Sequence, residues 1–178
     1  MKNTTRKICA TAMGIALFVV LTLCLQVPVF ENYYLCLGYI AMMVFCYYFG
    51  TISGTTVGVL GVIIYCLLTS GLRGMPGWAL ANVVIGIMVG LACKLTKNTK
   101  KRFVRIAIIV AAVVISTALG VLVLKSFVEY LMYAQPMWVR MAKNVYAFVA
   151  DIVVMIIAIP VCESLGGPIR KIFKDLVQ

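Results

Sequence analysis

Asn32 to Leu72, NYYLCLGYIAMMVFCYYFGTISGTTVGVLGVIIYCLLTSGL, runs for 41 residues without a charged side chain. As one helix it would extend about 60 Å at 1.5 Å per residue, twice the hydrocarbon thickness of roughly 30 Å that a bilayer offers. The segment must therefore fold back on itself. The break falls at Gly50-Thr51-Ile52-Ser53-Gly54, where glycine and hydroxyl residues cluster, and predicts spans over 35–49 and 54–71. Outward from there, the chain repeats the pattern. No charge lies between Lys7 and Glu31, which predicts a first span over 8–27 closed by Pro28. Bases followed by an apolar stretch also describe a signal peptide, but this stretch is too long for one and no small-x-small cleavage site follows Leu25. Further spans are predicted over 77–94, 104–126 and 143–163, the last carrying Asp151. The expected fold is an all-α integral membrane protein, a six-transmembrane-helix bundle forming one transmembrane domain over residues 1–178.

Composition agrees. Hydrophobic residues make up 64% of the chain and charged ones 12%, against roughly 45–50% and about 25% in soluble domains. Five acids and sixteen bases cannot clothe a soluble domain of 178 residues. Disorder, coiled coil and secreted disulfide scaffold are excluded with it. Histidine is absent, which removes Ser-His and Cys-His catalysis and imidazole-bound zinc. The seven cysteines (Cys9, Cys24, Cys36, Cys46, Cys66, Cys93, Cys162) form no C-x-x-C pair and, Cys9 apart, fall within or at the ends of apolar runs, where cysteine acts as a small hydrophobe. No metal and no cofactor is expected. No G-x-x-x-x-G-K-[ST] motif is present, so any ATP-driven work belongs to a partner.

Charge asymmetry orients the bundle. Six spans put Lys2, Arg6, Lys7, Lys94, Lys97, Lys100, Lys101, Arg102, Arg105, Arg170, Lys171 and Lys174 on one side, twelve of the sixteen bases. By the positive-inside rule that side, with both termini, is cytoplasmic. The net charge of +11 then meets anionic inner-leaflet lipid and calls for no nucleic acid. Aromatics gather on the opposite side: Tyr33, Tyr34, Tyr39, Trp78, Tyr130, Tyr133, Trp138 and Tyr146, with Tyr47 and Tyr48 near the inner face. An ordinary aromatic belt marks both interfaces, so a one-sided excess points to rings that line an outward pocket.

Polar residues inside the spans sharpen this. Asp151 sits about 12 Å into the last span, where a lone carboxylate is costly and faces either a cavity or a partner. Asn144, two turns earlier, points the same way. Trp78 and Asn82 form an i, i+4 pair, and Lys125 lies about a turn inside the outer end of its span. Lys125 has other uses open to it, snorkelling or an ion pair with Glu129, and Asp151 can pair with a base that locks the bundle. Small residues recur at Ala12-x-x-x-Ala16, at Gly50, Gly54 and Gly58, and at Gly86-x-x-x-Gly90. Such stripes serve either packing within the bundle or docking of another membrane subunit.

With these residues in view, the chain resembles, over essentially its whole length, the substrate-binding S component of an energy-coupling factor (ECF) vitamin transporter. Ala12-Met-Gly-Ile-Ala16 is similar to the family's first-helix Ala-x-x-x-Ala motif. Leu37-Gly38-Tyr39-Ile40, Tyr48-Phe49-Gly50, Gly54 and Gly58-Val-Leu-Gly61 resemble its second and third helices. Pro76-Gly77-Trp78-Ala79-Leu80-Ala81-Asn82, Gly86 and Gly90-Leu91 resemble its fourth. The Leu-Gly-Tyr stretch is similar to the riboflavin-type subgroup, while Gly-Trp-Ala stands where that group more usually has Gly-Thr-Leu. The resemblance implies a non-catalytic subunit of the bacterial cell membrane that captures a vitamin or related micronutrient from outside, riboflavin being the first candidate. It implies docking through Ala12 and Ala16 on a transmembrane coupling protein driven by two cytoplasmic ATPases. It places the ligand beneath loops near Tyr33, Arg73 and Trp138, above Trp78, Asn82, Asn144 and Asp151; Lys125 joins this set by its position alone, in the outer half of its span. Outer bases favour an anionic substrate, and Asp151 favours a ring nitrogen or amine; both stay open. The alternative is a structural or channel-forming oligomer, which the glycine stripe suits and the one-sided aromatics do not. An integral membrane enzyme would need paired acids, histidines or an arginine cluster at the interface, and no acid pair is visible.

Overall fold

Gly50 is the pivot of the uncharged run. Its φ of 92° and ψ of 174° lie where side chains are strained. The amide of Phe49 closes the preceding helix on Phe45, and that of Gly54 opens the next on Gly50 itself. The computed structural model describes residues 2–24, 27–30, 33–69, 71–72, 74–99, 101–134 and 136–172. In order they form α1 (Lys2–Cys24), β1 (Val27–Phe30), β2 (Tyr33–Leu35), α2 (Gly38–Tyr48), α3 (Thr51–Leu68) and α4 (Met75–Thr96). A long helix follows in three parts: α5 (Arg102–Thr117), a π-helical segment (Ala118–Lys125) and α6 (Ser126–Tyr133). The chain continues through α7 (Met137–Ser164) and a short α8 (Gly166–Ile172).

Among the described residues, five stretches are long and apolar enough to cross a bilayer: Thr4–Cys24, Thr51–Leu68, Met75–Thr96, Arg102–Tyr133 and Met137–Ser164. The chain is a multi-pass membrane protein. α2 is the exception in length, its 11 residues rising only about 16 Å. Nearly every residue of α2 is buried, as expected of a helix that is apolar all round and sits in the middle of a bundle. The predicted span over 35–49 therefore shortens at its start. The bundle is helical as expected, and a short ribbon is added to it between α1 and α2. There β1 and β2 run antiparallel, pairing Val27 with Leu35, Pro28 with Tyr34 and Phe30 with Tyr33. Pro28 has no N–H to continue α1, and the flanking Val, Phe and Tyr residues favour extended chain. The span predicted to end at 126 instead runs on to Tyr133.

α1, α3 and α5 begin at one end of the bundle, and α2, α4 and α7 finish there. Lys7, Phe49, Thr51 and Lys94 line one groove at that end, Tyr48 donates to the Cys162 carbonyl, and Glu163 binds Arg102 and Arg105. Glycine brings the inner helices close. A Cβ at Gly54 would stand 2.7 Å from the Cys46 amide nitrogen, at Gly58 2.5 Å from Met42 Sδ, at Gly86 2.8 Å from Thr55 Cα and at Gly90 2.7 Å from Thr51 Cα. These stripes thus serve packing within the bundle. Outward, Met13, Leu17 and Val20 of α1, Ile108 and Ile115 of α5, and Val149, Val153 and Ile157 of α7 are exposed, a belt suited to lipid.

Candidate ligand-binding site

The site begins where α2 and α4 start. Gly38 lets the first turn of α2 lie against Phe18 and Thr22 of α1, which turns Tyr39 inward until its side chain is fully buried. Pro76 fits the first turn of α4, where its missing N–H costs nothing, and Trp78 and Asn82 follow on one face. The indole N–H of Trp78 donates to the Tyr39 hydroxyl at 2.9 Å, and that hydroxyl donates to Asn82 Oδ1 at 2.8 Å. Asn82 Nδ2 donates to the Gly58 carbonyl at 2.9 Å. Three helices are therefore joined by one polar chain. Tyr65 packs edge-on to the Trp78 ring with centroids 5.7 Å apart.

Asp151 reaches this chain from α7. It is buried, and its carboxylate interacts with the Tyr39 hydroxyl and with Lys125. Lys125, the last residue of the π-helical segment, lies across the start of α4, where a Cβ on Gly77 would stand 3.2 Å from its Cγ. Glu129 and Arg140 are also among its charged neighbours.

Asn144 shares the inward side of α7 with Asp151 but serves a second cluster. Its Nδ2 donates to Ser126 Oγ at 2.9 Å and to Glu129 Oε2 at 3.3 Å. Arg140 stands 3.8 Å from the same Glu129 oxygen and its guanidinium carbon lies 5.2 Å from the centre of the Tyr133 ring. Glu129 thus has Asn144 at hydrogen-bond distance and Arg140 just beyond it, the company that an acid inside a bundle needs. Lys125 lies near both clusters.

Of the predicted site residues, Trp78, Asn82, Asp151 and Lys125 come together, and Asn144 joins through the second cluster. Tyr33 lies on β2 with its ring outside the described residues, and Arg73 lies outside them altogether. Trp138 is 81% exposed on the first turn of α7 and turns away from both clusters. Ala12 and Ala16 are exposed on α1, while Gly14 between them packs on Phe45 and Val57. Sequence reasoning left out Tyr39, Ser126 and Glu129 as site residues. Two signals mark Tyr39, its place among the outer aromatics and its position beside Gly38 in the Leu-Gly-Tyr stretch. Among the described residues no three His, Cys, Asp or Glu side chains gather to hold a metal ion.

A multi-pass helical bundle with a paired, enclosed polar network at one end and a basic opposite end has the build of a membrane subunit that handles a small solute. Residues 2–165 match the family model described as ECF-type riboflavin transporter, S component. The chain belongs to this family. It is also similar to the UPF0397 proteins of two Streptococcus thermophilus strains, LMD-9 and CNRZ 1066, at 32% identity over 104 residues, 57% of this chain and 55% of each relative. The match thus spans about half the length of these curated relatives. No solved structure matches.

Proposed function

We propose that this chain is the substrate-capturing S component of an ECF-type importer in the bacterial cell membrane, with both termini cytoplasmic. It takes up a vitamin or related micronutrient at the end where Trp78 and Asn82 lie. The observation that carries this reading is the polar chain Trp78–Tyr39–Asn82 with Asp151 beside it. Buried polar groups of this kind fix the orientation of a small ligand against an apolar, aromatic wall. Riboflavin, named in the description of the matching family, is the first compound to test. Tyr33, Arg73 and Trp138 belong to the mouth of the site. Ala12 and Ala16, small and exposed on α1, are the contact for a transmembrane coupling protein driven by two ATPases.

The test is mass spectrometry of small molecules released on denaturing the purified protein, followed by binding and uptake measurements on variants. Near-stoichiometric recovery of one vitamin-like compound is expected. Asp151→Asn and Trp78→Ala lower its retention about tenfold or more, the size of a lost buried polar contact. Ala12→Trp retains the compound and stops uptake. Unchanged uptake in all three variants refutes the mechanism.

A further inference from the structure

At the end of the bundle opposite the Trp78–Tyr39–Asn82 chain, a cavity of about 530 Å³ lies between the last turns of α2 and α4 and the first turn of α5. Its polar lining is Tyr47, Lys94, Lys97, Asn98 and Arg105. An adjoining hollow shares Tyr47, Tyr48 and Arg105 and adds Arg102 and Glu163. Among the described residues, four cations therefore face two neighbouring hollows that hold a single carboxylate. That carboxylate is already engaged, by Arg102 and, at 3.1 Å, by Arg105. Lys94 and Lys97 are exposed and meet no carboxylate among the described residues.

Bases that only obey the positive-inside rule can stand anywhere along an inner loop. These converge on a concave surface, which concentrates their field on whatever enters it. The guanidinium of Arg105 has five N–H donors and gives Glu163 one hydrogen bond, through Nη2, so donors remain for a second anion. The Tyr47 hydroxyl and Asn98 amide stand in the same lining and add neutral donors.

A second observation narrows the occupant. Beside Lys7 and several hydroxyl side chains, a groove of about 670 Å³ between α1, α3 and α4, which shares Lys94 with the cavity, is lined by Ile8, Ile15, Ile52, Leu60 and Leu91. All but Ile15 are exposed. A free phosphate or a nucleotide has no use for that groove. A cationic hollow beside an exposed groove with apolar side chains along it matches a phospholipid, with its phosphate in one part and an acyl chain in the other.

We infer that this cavity binds the phosphate of an anionic membrane lipid. Lys94, Lys97 and Arg105 face its oxygens, and one acyl chain lies along the groove between α1, α3 and α4. Basic pockets between transmembrane helices hold lipid phosphates by the same electrostatics. Ala12 lines the same groove, so a partner docking there would displace the chain. The inference stands whatever compound is captured at the other end.

Native mass spectrometry of the full chain in detergent tests it, by titration with phosphatidylglycerol and with phosphatidylcholine of the same chains. One phosphatidylglycerol is retained and phosphatidylcholine is not. Lys94→Gln with Lys97→Gln weakens retention about thirtyfold, the effect of two surface cations on lipid binding. Both side chains are exposed, so the variant keeps its fold. The charge-matched pair Lys101→Gln with Lys171→Gln, exposed and outside the cavity, changes retention less than about threefold. Equal loss in the two double variants would assign the effect to diffuse charge and overturn the site. Equal retention of phosphatidylcholine, or displacement by equimolar glycerol 3-phosphate, would overturn the lipid as its occupant.

Discussion

Trp78, Asn82, Gly86 and Gly90 stand four residues apart on α4, and the two halves of this row hold the bundle together by different means. The first half uses hydrogen bonds: Trp78 and Asn82 meet on the Tyr39 hydroxyl, and Asn82 also reaches Gly58. The second half uses bare backbone, with Thr55 and Thr51 of α3 seated where side chains would be. A four-residue step drifts about 40° around a helix, so the row winds from α2 at its start onto α3 at its end. One sequence pattern therefore builds a specific polar site above and a tight packing seam below. Hydrogen bonds can be exchanged for a ligand's, whereas a backbone contact has nothing to exchange. The half proposed to meet a solute is polar, and the half that holds α4 against α3 is bare.

Breaking the seam should have the largest effect on stability. Valine at Gly90 puts its Cβ 2.7 Å from the Thr51 Cα, and no rotamer relieves a clash with backbone. The helices must part, at about 3 kcal/mol, the upper range for overpacking. Gly167 has nothing within 4 Å of its open position, so Gly167→Ala should stay within about 0.5 kcal/mol. Unfolding in mixed micelles measures both. Equal, small effects would show that α3 and α4 are not held at this separation.

Breaking the polar half should cost less and should depend on ligand. Asn82→Ala strands the Gly58 carbonyl and leaves the Tyr39 hydroxyl without its acceptor, an expected loss of about 1–3 kcal/mol. Because the same amide is proposed to meet the captured compound, adding that compound should stabilise the wild type and leave the variant unchanged. A variant stabilised as strongly as the wild type would make Asn82 a packing residue alone.

This contrast was only partly legible in the sequence. The fold-back at Gly50 and the pairing of Trp78 with Asn82 are local signals, a charge-free run too long for one helix and an i, i+4 spacing. Tyr39 carries no such mark, because its partners lie 39 and 43 residues away and within its own run it reads as one more aromatic. Ser126 and Glu129 carry the fifth span past its predicted end at 126. Polar residues there suggest an exit from the bilayer, yet both are buried because Asn144 on a later helix satisfies them. The ribbon at 27–35 is masked by Pro28, which signals the end of a helix plainly and its tolerance of extended chain hardly at all.

The smallest effect belongs to the basic end, and its size is what sharpens the comparison. Glu163 binds both Arg102 and Arg105, tying the start of α5 to the end of α7, and by number of bonds it would be as strong a joint as Asn82. Solvent decides otherwise. Arg102 is largely exposed, water screens the pair, and exposed ion pairs contribute little. Glu163→Gln should shift the unfolding midpoint by no more than about 2 °C at physiological salt. The difference from wild type should widen at low ionic strength, where screening reaches about 30 Å instead of about 8 Å. The Asn82→Ala loss, made of enclosed and uncharged contacts, should not move with salt. A salt-independent and large loss at Glu163 would mean that the latch is shielded from water, and that the two ends are held by the same kind of force.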